Sequence, residues 1–167
     1  YSVTLFSPPS GHYCKLTNAT GLIAGANVSN VGLACVLAPN CQSLHAFDSS
    51  FTNGLYSIDP DGVGALPLMT VYCGMTTAGG GWTQVFDHDV SKGYRAANLW
   101  SSVNPTLPNQ GLYSILNQLG ALKSGANYEF RMNWTAGNPN IVGKSLQWTQ
   151  VQNPTAVTDP TAVTVSN

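Results

Sequence analysis

Apolar and polar residues alternate most cleanly over residues 126–134, "ANYEFRMNW". Tyr128, Phe130, Met132 and Trp134 fall on one side, and Asn127, Glu129, Arg131 and Asn133 on the other. This period of two predicts a half-buried strand with Asn133 on its wet face. Over 111–123, "GLYSILNQLGALK", the period lengthens. Leu112, Ile115, Leu116, Leu119 and Leu122 recur at helical spacing and predict the chain's clearest helix, with that stripe facing a core. Further strands are expected at 53–59, "NGLYSID", at 68–75, "LMTVYCGM", at 81–87, "GWTQVFD", and at 145–151, "SLQWTQV". "DPDG" at 59–62 is a turn, because proline presets φ and glycine tolerates φ > 0. "YSVTLF" at 1–6 reads as a short strand, and 7–40, rich in Gly, Asn, Ser and Ala, as a loop-dominated segment.

The pattern weakens at the end of the chain. Residues 153–167 carry P-T-A-V-T twice, at 154–158 and 160–164, with no large apolar residue and one charge, Asp159. One reading is a linker or tail, O-glycosylated at Thr155, Thr158, Thr161 and Thr164. The other is a donor strand, "TAVTVSN", that pairs with an open sheet edge in this chain or a neighbour. One domain is expected overall, in three segments: 1–40, a core over 41–152, and the tail 153–167.

Charge changes the picture more than hydrophobicity does. Hydrophobic residues make up 43% of the 167, which is ordinary, but Asp, Glu, Lys and Arg make up only 8%. A typical share is about 25%. Ser, Thr and Asn, 15 of each, fill the gap. Such a surface has little charge repulsion to keep copies apart. Six scattered basic residues form no patch for a phosphate backbone, which argues against nucleic acid. No apolar run approaches the ~18 residues of a membrane span.

Four cysteines, Cys14, Cys35, Cys41 and Cys73, show neither C-x-x-C nor zinc-ligand spacing, and allow three disulfide pairings. Asn18-Ala-Thr20, Asn27-Val-Ser29 and Asn133-Trp-Thr135 each fit the N-glycosylation pattern. Together these features point to a secreted glycoprotein, whose sugars would supply the solubility that charge does not.

Three consecutive glycines, Gly79 to Gly81, precede Trp82. A phosphate cradle is excluded: no G-x-x-x-x-G-K-[ST] occurs and no helix pattern follows. The surrounding residues carry a resemblance. Cys41, then "NGLYSIDPDG", then "MTVYCGMTTAGGGWTQV" is similar to the start of a fibrinogen-related domain, including its intelectin branch. The matching positions include Gly54, Tyr56, Ile58, Pro60, Val71 to Cys73, Met75 to Thr77 and Gly79 to Thr83. Weaker similarity runs through "LWSS", "YSILNQL" and "YEFRMNW", so it covers about residues 41–152. The resemblance implies a Cys41–Cys73 disulfide, which leaves Cys14 with Cys35. It also implies that the glycines form a tight turn between two strands, delivering Trp82 to the core. The expected class is an α+β fold, an antiparallel sheet with one clear helix, disulfide-bonded and truncated relative to the family.

Two departures from the family pattern stand out, and the truncation is read from the second. Gly74 stands where the family has aspartate. Family members also continue into a subdomain with a calcium loop, a second cysteine pair and most of a ligand pocket. This chain has no cysteine after Cys73 and only Asp159 among acids after Glu129. An abridged fold of this kind is expected to expose a sheet edge.

Candidate chemistry is sparse. Asp87, His88 and Asp89 are the only run with metal-ligand character, and intelectin-like relatives use a similar place for calcium. The alternative is a polar strand end. His12, His45 and His88 are far apart, and no serine sits in a G-x-S-x-G elbow, so a non-enzymatic protein is expected. Tyr94, Trp100 and Trp148 could stack on sugars or pack in the core. Two functions compete: a structural subunit that self-assembles into an oligomer or filament by strand addition, and a fibrinogen- or intelectin-like lectin.

Overall fold

The computed structural model describes residues 1–93, 99–137 and 139–155. Tyr94, the second P-T-A-V-T copy and Thr158, Thr161 and Thr164 lie outside the described residues. The strands are β1 (His12–Thr17), β2 (Gly32–Leu37), β3 (Gly54–Ile58), β4 (Met69–Gly74), β5 (Trp82–Thr83), β6 (Phe86–His88), β7 (Leu112–Ser114), β8 (Tyr128–Asn133) and β9 (Ser145–Gln150). Two short helices, α1 (Cys41–Phe47) and α2 (Leu119–Leu122), complete an α+β, disulfide-bonded fold. The described strands divide into four antiparallel sheets: β1–β2, β3–β4–β5, β6–β7 and β8–β9.

The core lies where α1, β3, β4 and β7 meet. Leu44 and Cys41 of α1, Ile58 of β3, Val71 and Cys73 of β4, and Tyr113 of β7 are fully buried there with Ala38, Met75 and Ile115. Helix α1 has no visible signature in the hydrophobic pattern, since only Cys41 and Leu44 of its seven residues are buried. Its start is set by Asn40, whose side-chain oxygen accepts from Ser43 N at 2.9 Å. Such a cap is worth about 1 kcal/mol. The Cys41–Cys73 disulfide then fixes the helix to the central strand of the three-stranded sheet.

The glycine turn connects β4 to β5 and explains its own composition. Ala78, Gly79, Gly80 and Gly81 all have positive φ, from 49° to 86°. A Cβ on Gly80 would stand 2.1 Å from the Met75 carbonyl oxygen and 2.7 Å from His45 Nε2. One on Gly81 would stand 2.9 Å from Gln42 Cα. The turn therefore needs glycine twice over, for backbone conformation and for its seat against α1. Trp82 is half-buried rather than a core residue; its indole N–H donates back to the Ala78 carbonyl at 3.2 Å, closing the turn.

Four expectations are corrected. Residues 111–123 are not one helix. They form β7, a 3₁₀ turn at Leu116–Gln118 and the single-turn α2. Tyr113, Ser114 and Ile115 are all fully buried, and three consecutive residues cannot share one helix face. Ser114 is paired on both sides, with Phe86 in register and with Val103 through a bridge. Tertiary pairing overrides the helical spacing, and only Leu119 and Leu122 keep the predicted inward role within α2. Second, 7–40 is loop-dominated but not loop throughout: β1 and β2 form a six-residue-per-strand hairpin within it. Third, 1–6 is not a strand, since only Ser2 bridges, to Thr20, while Phe6 is fully exposed ahead of Pro8 and Pro9. Fourth, 81–87 splits into β5 and β6, which belong to different sheets.

Two hairpins flank this centre. On β1, Tyr13 packs against Phe51 and Tyr56, with ring centroids at 5.6 and 5.9 Å. Its hydroxyl oxygen accepts from Ser57 N at 2.8 Å, and burial pushes the phenol above its ordinary range. On the β8–β9 hairpin, Phe130 lies opposite Trp148 in register and stacks on it at 5.2 Å. Lys123 sits 4.6 Å over the Tyr128 ring, and the Trp148 indole donates to Gln150 Oε1 at 2.9 Å. The expected alternation holds along β8 at Tyr128 and Phe130, but Met132 is exposed.

Candidate functional site

The one run with metal-ligand character lies on β6 and the turn after it. Strand alternation sends Phe86 and His88 to one face and Asp87 to the other. On the first face the His88 ring lies 4.6 Å from Trp100, and Phe86 lies 4.9 Å from the same indole. His88 Nε2 is 3.1 Å from the Gly93 carbonyl oxygen. Phe86 is 43% exposed, so the three rings form a partly open aromatic surface.

On the opposite face, Asp87 Oδ2 accepts from Gly111 N at 2.7 Å. Asp89 N donates to the Gly111 carbonyl, and a Cβ on Gly111 would stand 2.9 Å from Asp89 Cβ. Gly111 thus brings a main-chain amide and carbonyl between the two aspartates. Asp89 Oδ1 also accepts from Ser91 N at 2.9 Å, which caps the 3₁₀ turn Val90–Lys92 and holds the carboxyl below its usual range. His88 turns away from this pair. Among the described residues, no group of three or more His, Cys, Asp and Glu side chains could hold a metal ion. The Asp87–Asp89 run is engaged as a strand end and a helix cap.

The remaining sequence-predicted positions are spread over the surface. Asn18, Asn27 and Asn133 are all exposed. Asn18 has φ 52° and its amide nitrogen donates to the Asn30 carbonyl at 2.9 Å. Asn133 ends β8, on the face away from Met132 and Phe130. Thr155 is exposed, and its hydroxyl donates to Asn153 Oδ1 at 2.8 Å. Trp148 and Trp100 are each half-buried.

A feature absent from the sequence reading is an apolar groove of about 350 Å³ lined by Tyr1, Val3, Ile23, Ala26, Val28 and Val31, with sequon Asn27 on its rim. It exists because residues 1–3 run against 19–21: Val3 N donates to the Ala19 carbonyl at 2.7 Å, and Gly21 N to the Tyr1 carbonyl at 3.1 Å. Isolated apolar residues in a Gly- and Asn-rich stretch give no periodic signal by which to find it. No helix among the described residues is long and apolar enough to cross a membrane. No protein-family model matches this chain, and no curated protein matches it significantly.

Proposed function

We propose that the chain is an extracellular, non-enzymatic structural and adhesive glycoprotein subunit. Its residues 41–152 form a fibrinogen-related core, and protomers join by β-strand addition into an oligomer or filament. The observation that carries this reading is the number of open edges. The described strands make four separate sheets of two or three strands each. Outer strands of these sheets present main-chain donors and acceptors on the unpaired side, a template for another chain, except where Val103 bridges to β7 and the Tyr13 hydroxyl meets Ser57 N of β3. Two-stranded sheets are also marginal on their own and gain most from a third strand. Apolar side chains remain exposed beside these edges, among them Leu33 at 58%, Leu55 at 59% and Leu146 at 50%. With charged residues at only 8%, little opposes association.

The donor in this reading is a terminal segment, 1–6 or 160–167, and the acceptor is a neighbour's sheet edge. A head-to-tail contact of that kind propagates without closing. Residues 1–3 already hydrogen-bond to 19–21, so an amino-terminal donor must exchange those bonds. Deletion of 1–6 or of 160–167, followed by electron microscopy, tests the assignment. Loss of polymer on one deletion is expected, and polymers unaffected by both would overturn it. Two disulfides and three exposed sequon asparagines support an extracellular setting. Intact mass before and after enzymatic deglycosylation reads the glycans directly.

A second reading, a carbohydrate-binding module, is favoured by the partly open ring surface of Phe86, His88 and Trp100. Aromatic faces of this kind suit sugar stacking. A glycan array with and without EDTA tests it, and absence of binding in both conditions overturns it.

A further inference from the structure

We infer that β8 is a self-complementary edge: it pairs antiparallel with β8 of a second copy about a two-fold axis at Phe130, joining two hairpins into one four-stranded sheet. The inference rests on the reading of the chain as self-associating and names the edge that does it.

The first observation is main-chain direction. Trp134 N donates to the Lys144 carbonyl at 3.1 Å, continuing the β8–β9 register that pairs Asn133 with Ser145 and Tyr128 with Gln150. In an antiparallel ladder successive residues turn their N–H and C=O groups to alternate sides. Tyr128, Phe130 and Met132 therefore face β9, and Glu129 and Arg131 turn theirs outward. No described strand pairs with that side of β8.

The second observation is charge order. Among the described strands, β8 alone carries both a carboxylate and a Lys or Arg, Glu129 and Arg131, two residues apart on one face. Neither forms an ion pair among the described residues; Glu129 Oε1 accepts only from Gln147 Nε2, at 2.8 Å. An antiparallel partner centred on Phe130 sets Glu129 opposite the partner's Arg131, and Arg131 opposite the partner's Glu129. The same two pairs are the ones whose outward main-chain groups exchange hydrogen bonds in that register. Phe130 then meets its own copy at a non-hydrogen-bonded position, where side chains come closest.

The third observation is the other face. Met132 is 46% exposed. In this register Met132 lies opposite the partner's Tyr128, a thioether against an aromatic ring. The stack of Tyr128, Phe130 and Trp148 becomes continuous across the axis. The outer edge of β9, "SLQWTQ", has no charged residue and offers no such match. Because the contact is isologous, it closes as a dimer.

Sedimentation velocity on the full chain tests the pairing with E129R, R131E, the double swap E129R/R131E, and an equimolar mixture of the two single variants. Each single change sets like charges opposite each other twice across the axis, and is expected to weaken self-association about tenfold or more. The double swap restores it. The mixture also restores it, because an E129R strand and an R131E strand are complementary in both pairs. Recovery on mixing requires two folded variants, so misfolding does not mimic it. Single variants that associate like the parent, or a mixture that associates no better than its components, overturn the pairing. Association that is insensitive to all β8 changes but lost on deletion of 1–6 or 160–167 defeats this inference and leaves the broader reading standing. A parent chain that stays monomeric at every concentration defeats both.

Discussion

The two disulfides are the same bond in opposite settings. Cys41 and Cys73 are fully buried, and their bridge ties α1 to the central strand of the β3–β4–β5 sheet beside Leu44, Ile58 and Val71. Cys14 and Cys35 face each other across the β1–β2 hairpin, and Cys35 is exposed. At the centre the bond adds to a packed core. At the edge it stands in for one, because two strands bury too little to hold themselves. The molecule has a packed centre and thinly packed margins.

Removing the central bridge should produce the largest effect. C41A/C73A releases a loop of 32 residues and leaves a void in the core. Loop entropy alone is worth about 3–4 kcal/mol. At roughly 2–4 °C per kcal/mol, Tm should fall by about 10 °C or more in differential scanning calorimetry. C14A/C35A should cost less, with hydrogen exchange rising in the hairpin and not in β4. Under mild reductant, alkylation and mass mapping should find Cys14 and Cys35 modified before Cys41 and Cys73. The reverse order would break the comparison.

Tyr113 probes the centre by another route. Its ring is fully buried and its hydroxyl has no hydrogen-bond partner among the described residues, with burial pushing the phenol far above its ordinary range. Tyr113→Ala should cost about 3–5 kcal/mol in urea unfolding, as for other large aromatic truncations. Tyr113→Phe should be neutral or stabilising by up to about 1 kcal/mol, since an unpartnered buried hydroxyl carries its desolvation cost uncompensated. A large loss in the phenylalanine variant would mean that the hydroxyl has a partner, and that the core is wetter than its packing indicates.

The glycine turn separates conformation from contact. Gly79 and Gly80 have nearly equal φ, 86° and 79°, but a Cβ on Gly79 meets nothing within 4 Å. Gly79→Ala should cost about 1–2 kcal/mol, the left-handed penalty alone. Gly80→Ala should cost clearly more, because the Met75 carbonyl stands in the way. Equal losses would show that the Met75 carbonyl gives way at little cost.

How much of this was legible in the sequence follows the same divide. Strands β3, β4, β8 and β9 were visible because their apolar residues alternate or their turns are marked by Asn-Gly and Asp-Pro-Asp-Gly. The 111–123 segment misled because leucine spacing records which residues are apolar and not which sides are paired. Ser114, polar and fully buried, is explained only by Trp100, Val103 and Phe86, all distant in sequence. Helix α1 was hidden because a disulfide and one cap hold it in place of an apolar stripe. The β1–β2 hairpin was hidden because Cys14 to Cys35 register replaces a hydrophobic face. At the candidate site, adjacency suggested that Asp87, His88 and Asp89 act together. A strand turns neighbours to opposite faces, and Gly111, which organises the two aspartates, lies too far along the chain to be read.

The smallest effect concerns the single ion pair among the described residues, Lys15 Nζ to Asp48 Oδ2 at 2.9 Å, which joins the β1–β2 hairpin to the end of α1. The Lys15 ammonium and then hydrogen bonds from Ser50 hold the Asp48 carboxyl well below the usual carboxylate range. A depressed folded-state pKa gives a stabilisation that is present above the ordinary value of about 3.9 and is lost as pH falls through the depressed one. Carboxyl NMR should therefore show Asp48 still ionised at about pH 3, in the window between those values. Lys15→Ala should move the midpoint part of the way back, because Ser50 still donates. Lys15 is half exposed, so salt screens the pair and Tm at neutral pH should barely move. If Lys15→Ala instead frees the whole hairpin, hydrogen exchange would rise throughout β1 and β2 with the disulfide intact. The margin would then be held by charge rather than by Tyr13 packing on Phe51 and Tyr56, and 0.5 M salt alone should loosen it in the parent chain.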